Sequence, residues 1–352
     1  MISVRRSVGG RGERIVAMRE LKAESPKWLF SAGALVVVVV LPFMIGKYYL
    51  SVLTLIWIWA IATVGLNILF GYTGLLSLGH SAFIGIGAYA FGLLTVKAGL
   101  AFWPSFLLAV IISGMLGFLI GIPSLRAKGQ HFVLVSLGFG IIVSVVSTAW
   151  TGLTGGSRGF AGVPRPTTIP LLNGAKLSFT STRGMYYFVL IWLVIALLIC
   201  YRIVKSRIGK TFVAIKHDEI LVRTLGTNVF RNKLLSFTLS AMFAGLAGVL
   251  YASYNAVLSP DISGFFRSVE LVAYLLVGGA GYVFGPVIGS LVLVAIPEIL
   301  QVVPELRVFI FGIILALFII FLPGGIAGLS KRLVAKALEK RRGVGSDKHG
   351  AA

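Results

Sequence analysis

The sequence predicts an all-α polytopic membrane protein of about ten transmembrane helices, eight at the least, with both termini cytoplasmic and Gly-interrupted segments in each half. Three observations predict it. Of 352 residues, 57% are apolar and only 12% charged, whereas a soluble domain carries about 25% charged residues. Mean hydropathy is +0.97. Apolar runs of about 18 residues or more, long enough to cross a bilayer core, recur along most of the chain. The formal charge of +21, from 32 Lys+Arg against 11 Asp+Glu, would suggest nucleic acid in a soluble protein. Hydropathy excludes that partner. One cysteine, Cys200, lies in an apolar run, so no disulfide framework or Cys-based metal site is expected.

Taken in order, residues 1–27 form a basic head with seven Lys/Arg. It is long for the n-region of a cleavable signal, and the apolar run behind it is long enough to stay in the membrane. A membrane body follows over 28–325, with apolar segments near 28–46, 49–70, 81–96, 102–122, 132–150, 185–204, 234–254, 268–281, 283–301 and 306–322. The third and eighth are short for a span, because a helix rises 1.5 Å per residue and the hydrocarbon core is about 30 Å thick. The body is broken by a Gly-, Pro- and Thr-rich loop, 151–183, and by a charged loop, 205–233. Residues 326–352 form a second basic tail.

Charge sets the expected orientation. With the N-terminus inside and the segments alternating, 24 of the 32 basic residues fall on the cytoplasmic face, as the positive-inside rule requires. The eight on the far side are Lys47, Lys97, Arg158, Arg165, Lys176, Arg183, Arg267 and Arg307. An even number of spans satisfies this asymmetry. The loop 151–183 then faces outward and 205–233 inward.

Glycine marks the interruptions. Gly117 with Gly121, Gly281 with Gly285, and Gly285 with Gly289 are four apart, a spacing that lets helix backbones approach. Ordinary helix packing explains any one pair equally well. Two stretches are denser: Gly71, Gly74, Gly79 and Gly85 in one half, and Gly278, Gly279, Gly281, Gly285 and Gly289 in the other. A pair of interrupted segments in corresponding positions points to a transport site at a repeat interface.

Enzyme chemistry is thinly supplied. There is no His-Glu-x-x-His, Cys-x-x-Cys or paired intramembrane carboxylate, and His80, His131, His217 and His349 are far apart in sequence. Gly209-Lys210-Thr211 imitates the end of a phosphate-binding loop, but position 204, where that motif needs glycine, is Val. Ion coupling is equally poor, since carriers driven by protons or sodium commonly use intramembrane acids. No Asp or Glu lies between Glu24 and Asp218. Of the later acids, Glu270 is expected to pair with Arg267 and Glu305 with Arg307. Such a transporter is either a passive conduit or is driven by a separate motor.

The loop 205–233 suggests the motor. After Asp218, Ile220, Leu221, Thr224 and Leu225 repeat at helical spacing, Glu219 and Arg223 form a favourable i,i+4 pair, and Gly226 is placed as a C-cap. A short capped helix with an apolar stripe is shaped to dock in a partner's groove. A helix lying on the membrane surface has the same pattern.

Several motifs then resemble one family. They are Gly65-Leu-Asn67-Ile-Leu-Phe-Gly71-Tyr-Thr-Gly-Leu-Leu-Ser77-Leu-Gly79-His80-Ser-Ala-Phe83, Ser136-Leu-Gly-Phe-Gly140, Leu153-Thr-Gly-Gly156-Ser-Arg-Gly159, Leu225-Gly226-Thr-Asn228-Val, Ser259-Pro260, and Gly278-Gly279-x-Gly281-x-x-x-Gly285-Pro286. In this order, over about residues 50–325, they resemble the LivM-type permeases of branched-chain amino acid ABC importers. The resemblance implies a permease subunit in a bacterial inner membrane, paired with a second related permease. It also implies two cytoplasmic ATPases that hold the ATP and Mg²⁺, and a periplasmic binding protein; this chain itself is expected to bind no cofactor beyond its contact with lipid. In that family the docking helix carries a Glu-Ala-Ala-x-x-x-Gly-like motif. Gly226 fits its glycine, but Glu stands one place early at Glu219 and neither alanine is present.

The expected coupling residues are therefore Asp218, Glu219, Leu221, Arg223, Leu225 and Gly226. Gly71, Gly74, Gly79, Gly278, Gly281 and Gly285 are the expected hinges. Asn67, Thr73, Ser77 and His80 are the polar candidates for the pathway of a zwitterion with an aliphatic tail, or alternatively for interhelical hydrogen bonds. A permease for urea or a short amide, or a stand-alone facilitator, would share most of these features.

Overall fold

In a computed structural model of the chain, the described residues are 39–127, 129–166, 169–170, 176–177, 179–299, 312–313, 315–318, 320 and 324–329, with backbone alone at 169–170, 176–177 and 296–299. The basic head, most of the expected spans 28–46 and 306–322, the Glu305–Arg307 pair and the tail from 330 lie outside them. The chain falls into two units, Met1–Leu50 and Ser51–Ala352. In the first, residues 39–44 are helical.

Among the described residues, the helices that position the sites are α1 Lys47–Leu66, α2 His80–Gly92, α3 Phe102–Ser124, α4 Gln130–Ala149, α5 Thr182–Lys205, α6 Arg207–His217, α7 Glu219–Thr224, α8 Val229–Asn255, α9 Phe265–Gly278 and α10 Gly285–Ile299. Among the described residues, five helical stretches are long and apolar enough to cross a membrane: Lys47–Tyr72, Phe102–Ser124, Gln130–Ala149, Thr182–Lys205 and Val229–Asn255. The protein is all-α and polytopic. α2 and α9 are the short elements expected from the sequence, with 13 and 14 residues, or about 20 Å of rise each.

Helix ends follow side-chain caps. The hydroxyls of Ser181 and Ser206 accept from Gly184 N and Gly209 N, and Asn228 Oδ1 accepts from Arg231 N. The last two caps alter the expected organisation. Ser206 closes α5 and opens α6, so the charged stretch after 205 is two helices and a linker; Asn228 starts α8 five residues before the apolar run at 234. Apolar patterning missed both because α6 and the first turn of α8 are amphipathic and exposed.

The core lies where small residues let helices touch. α8 packs against α2 and α3. A methyl group at Gly87 would come within 2.5 Å of Gly245 Cα, and one at Gly248 within 3.0 Å of Ala88 N. Ser113 of α3 donates to Ala241 O at 2.9 Å and reaches Phe83 O at 3.2 Å, so one hydroxyl ties three helices. Gly117 and Gly121 also face α8, against Ala241 and Leu234. By contrast Leu107, Ile111, Met115 and Phe118 on α3 and Leu134, Ile142 and Val145 on α4 are exposed, as suits surfaces in contact with lipid.

At one end, Phe160–Ala161 pairs antiparallel with Val257–Leu258, Gly162 N donates to Ala256 O, and Lys97 Nζ donates to Gly152 O at 2.6 Å and Leu153 O at 2.8 Å. These bonds gather the described part of loop 151–183 with the ends of α2 and α8. Arg267 pairs with Glu270, as expected, and its guanidinium sits 4.3 Å from the centre of the Trp59 ring. The helices α6 and α7 lie at the other end.

Candidate functional site

The first interrupted segment begins inside a helix. At Asn67, α1 widens into a π-turn, Asn67–Tyr72. Such widenings are rare and concentrate at functional sites. The chain then runs irregularly through 73–79 and resumes as α2 at His80. The second interruption separates α9 from α10, at 279–284.

Asn67 joins the two. Fully buried, it accepts from Gly281 N through Oδ1 at 2.8 Å and donates from Nδ2 to Tyr282 O at 2.9 Å. A side-chain amide here imitates a strand's peptide group, satisfying backbone groups that the break leaves without helical partners. The fit needs glycine at 71: a methyl group there would collide with the Asn67 amide and lie 2.7 Å from Gly281 N. Across the junction, Gly279 and Gly281 have φ of +113° and +85°, a region that side-chain-bearing residues avoid.

The other polar candidates fall into two settings. Thr73 turns back on its own segment, donating to Ile68 O at 3.0 Å. Between Ser77 and His80 the chain lies against α4, where Leu78 N donates to Ser136 Oγ at 3.1 Å and Gly79 faces the Ser136 carbonyl. The start of α2 is bound to α9 through Ser81, whose N–H donates to Ser268 Oγ at 3.0 Å, and whose hydroxyl donates to Ser263 O at 3.1 Å. Ser77 Oγ and both ring nitrogens of His80 are buried without a hydrogen bond of standard geometry among the described residues; the Ala62 carbonyl interacts with the His80 ring more weakly. Buried polar groups are ordinarily satisfied, so Ser77 Oγ and the His80 ring nitrogen that does not face the Ala62 carbonyl can take a polar partner at the first turn of α2.

Of the expected hinges, Gly71 lies within the π-turn, Gly74 has φ +82°, and Gly79 is the N-cap of α2. Gly278 ends α9 and Gly285 begins α10, packed against one another. Gly281 sits between them at the Asn67 contact.

The segment 218–226, where docking is expected, is built as a capped unit. Asp218 Oδ1 accepts from Ile220 N and Leu221 N, both at 2.9 Å. Glu219 pairs with Arg223 at 3.2 Å and with Lys233 of α8 at 2.6 Å. Gly226, at φ +78°, closes the helix by donating to Arg223 O. Val222 is 5% exposed and packs with Ile215 and Val229, while Ile220, Leu221 and Leu225 are 77%, 56% and 75% exposed. One apolar residue thus anchors α7 and three face outward. Sequence reasoning missed Val222, Lys233, Lys216, Gly279 and Tyr282. The Gly278–Gly279 doublet could have marked Gly279; Lys216 and Tyr282 act through partners 145 and 215 positions away, and Val222 and Lys233 through contacts between neighbouring helices that no pattern within one helix reports.

Comparison with known proteins places the chain among transporters. Residues 48–319 match the family model described as branched-chain amino acid transport system / permease component. The high-affinity branched-chain amino acid transport system permease protein LivM of Salmonella typhimurium is 33% identical over 320 residues, covering 86% of this chain and 75% of the relative. LivM of Escherichia coli is also 33% identical, with the same coverage over 324 residues. The permease protein LivH of Escherichia coli is 27% identical over 290 residues, covering 77% of this chain and 91% of the relative. No solved structure matches the chain.

Proposed function

The chain belongs to the family of branched-chain amino acid transport permease components, and from that premise we propose that it forms half of the translocation pathway of an ATP-driven importer for branched-chain or hydrophobic amino acids. A second, related permease supplies the other half, two cytoplasmic ATPases supply the energy, and an external binding protein delivers substrate. The chain crosses a bacterial inner membrane about ten times with both termini inside, and it performs no catalysis itself. The loop 151–183 meets the binding protein.

The observation that carries this reading is the exposed stripe of Ile220, Leu221 and Leu225 on a helix capped by Asp218 and tethered to α8. Three large apolar side chains held out to solvent beside charged flanks are costly unless a partner covers them. The rigid cap suits a helix that must transmit force.

In the pathway, the chemistry needed is a place for a zwitterion and its aliphatic tail. The first turn of α2 supplies a helix N-terminus, which favours a carboxylate, together with the open polar atoms of Ser77 and His80. Asn67 and Thr73 shape the adjoining break, and the glycines at 71, 74, 79, 278, 281 and 285 let the backbone change course as the pathway switches between outward and inward openings.

Reconstitution tests the whole. The chain, its partner permease and the ATPases in proteoliposomes, supplied with binding protein, are expected to accumulate leucine, isoleucine and valine only when ATP is present. Uptake that persists without ATP would mark a facilitator, and ATP-driven uptake of urea or acetamide in place of leucine would mark the amide reading.

A further inference from the structure

We propose that Lys216 is the positioning residue that carries movement of the docking helix to the interrupted segment of α1. The proposal rests on the docking role given to α7 and goes beyond it by naming the contact through which the movement passes.

Lys216 stands in the last turn of α6, two residues before the Asp218 cap. Its Nζ donates to Gly71 O at 2.7 Å, and the contact is partly buried. Its stem lies along the chain just beyond: a methyl group at Gly74 would sit 3.1 Å from Lys216 Cγ. The chemistry at both ends fits. Gly71 is in the last turn before the break, where carbonyls lack helical donors ahead of them and the helix dipole ends negative. An ammonium group suits that position, and a charge-assisted hydrogen bond is stronger than a neutral one.

The contact is continuous with both sites. On the cytoplasmic side, Ile215, Val222 and Val229 pack α6, α7 and α8 together, so Lys216 moves with the docking helix. On the membrane side, Gly71 abuts the Asn67 amide that holds Gly281 and Tyr282. A shift of α6 and α7 therefore displaces the carbonyl of a residue that both interrupted segments share. No local pattern marks Lys216, because its partner is a backbone carbonyl 145 positions away.

The test uses the assembled transporter in proteoliposomes, with leucine as the probe. Lys216→Met, which keeps the stem but removes charge and donors, is expected to assemble with the ATPases and to lower leucine moved per ATP hydrolysed about tenfold, the order expected for losing one charge-assisted bond. Lys216→Arg is expected to restore most of that ratio. Hydrogen exchange at Gly74 and Leu75, whose amides bond Phe70 O and Leu69 O, is expected to quicken in Lys216→Met. An unchanged ratio in an intact Lys216→Met complex overturns the proposal while leaving the docking role standing. Loss of the ATPases from both Lys216→Met and the neutral Lys216→Gln would make Lys216 part of assembly and overturn it too. Absence of ATPases from the unaltered complex would overturn the docking role itself.

Discussion

Asn67 supplies with a side chain what the backbone cannot supply at a break. Its two bonds satisfy one donor and one acceptor in the opposite half of the protein. Asn67→Ala takes this partner from the part-buried Gly281 N–H and Tyr282 carbonyl, at a cost below the about 1–3 kcal/mol of a fully buried group left unsatisfied. Measured cycles in membrane proteins average nearer 0.6 kcal/mol per interhelical bond. We expect a lower thermal midpoint for purified Asn67→Ala and faster exchange at Gly281. Asn67→Asp should be worse, since a carboxylate can still accept from Gly281 N but faces the Tyr282 carbonyl without a proton to give. Equal midpoints for the two variants would contradict this account. A polar residue in an apolar run was legible at position 67; its partners were not, because a backbone N–H at 281 carries no signature of its own.

At the level of the element, α7 shows which local rules reach the folded structure. The cap at Asp218, the Glu219–Arg223 pair and the left-handed Gly226 were all legible, each depending on residues within a turn or two. The division of the apolar residues was not. Ile220, Leu221, Val222 and Leu225 read alike in sequence, and only the packing of α6 and α8 decides that Val222 turns inward. Two expectations follow. Leu221→Asp should leave thermal stability within about 0.5 kcal/mol, as for most exposed positions, yet abolish co-purification of the ATPases; retained co-purification would remove Leu221 from the docking face. Gly226→Val places a β-branched residue at φ +78°, a conformation it strongly disfavours. We expect the cap to open, with ATP hydrolysis continuing while leucine uptake fails. Normal uptake would show that the helix end tolerates another course.

For the whole molecule, the sequence foretold apolar helices and two glycine-broken regions, and these are what the described residues contain. Boundaries suffered where amphipathic turns joined apolar ones, at α6 and at the start of α8. Sidedness has a direct measurement. In a Cys200→Ser background, Ser157→Cys and Ile220→Cys stand in exposed positions at opposite ends. A membrane-impermeant maleimide applied to intact cells is expected to label position 157 and to reach 220 only after permeabilisation. The reverse pattern would invert the orientation inferred from 24 inward-facing basic residues.

The same helix, α8, is held at both ends and near its middle. Lys233 grips Glu219 at one end, the Ala256 carbonyl accepts from Gly162 N and Val163 N at the other, and between them Gly245 rests on Gly87. With 27 residues it is about 40 Å long, and the glycine contact divides it into arms of about 24 and 15 Å. A rod pinned this way is a lever with its fulcrum inside the membrane. A tilt given to its long arm at the α7 end would return at the Ala256 end in the opposite sense and scaled down by the ratio of the arms.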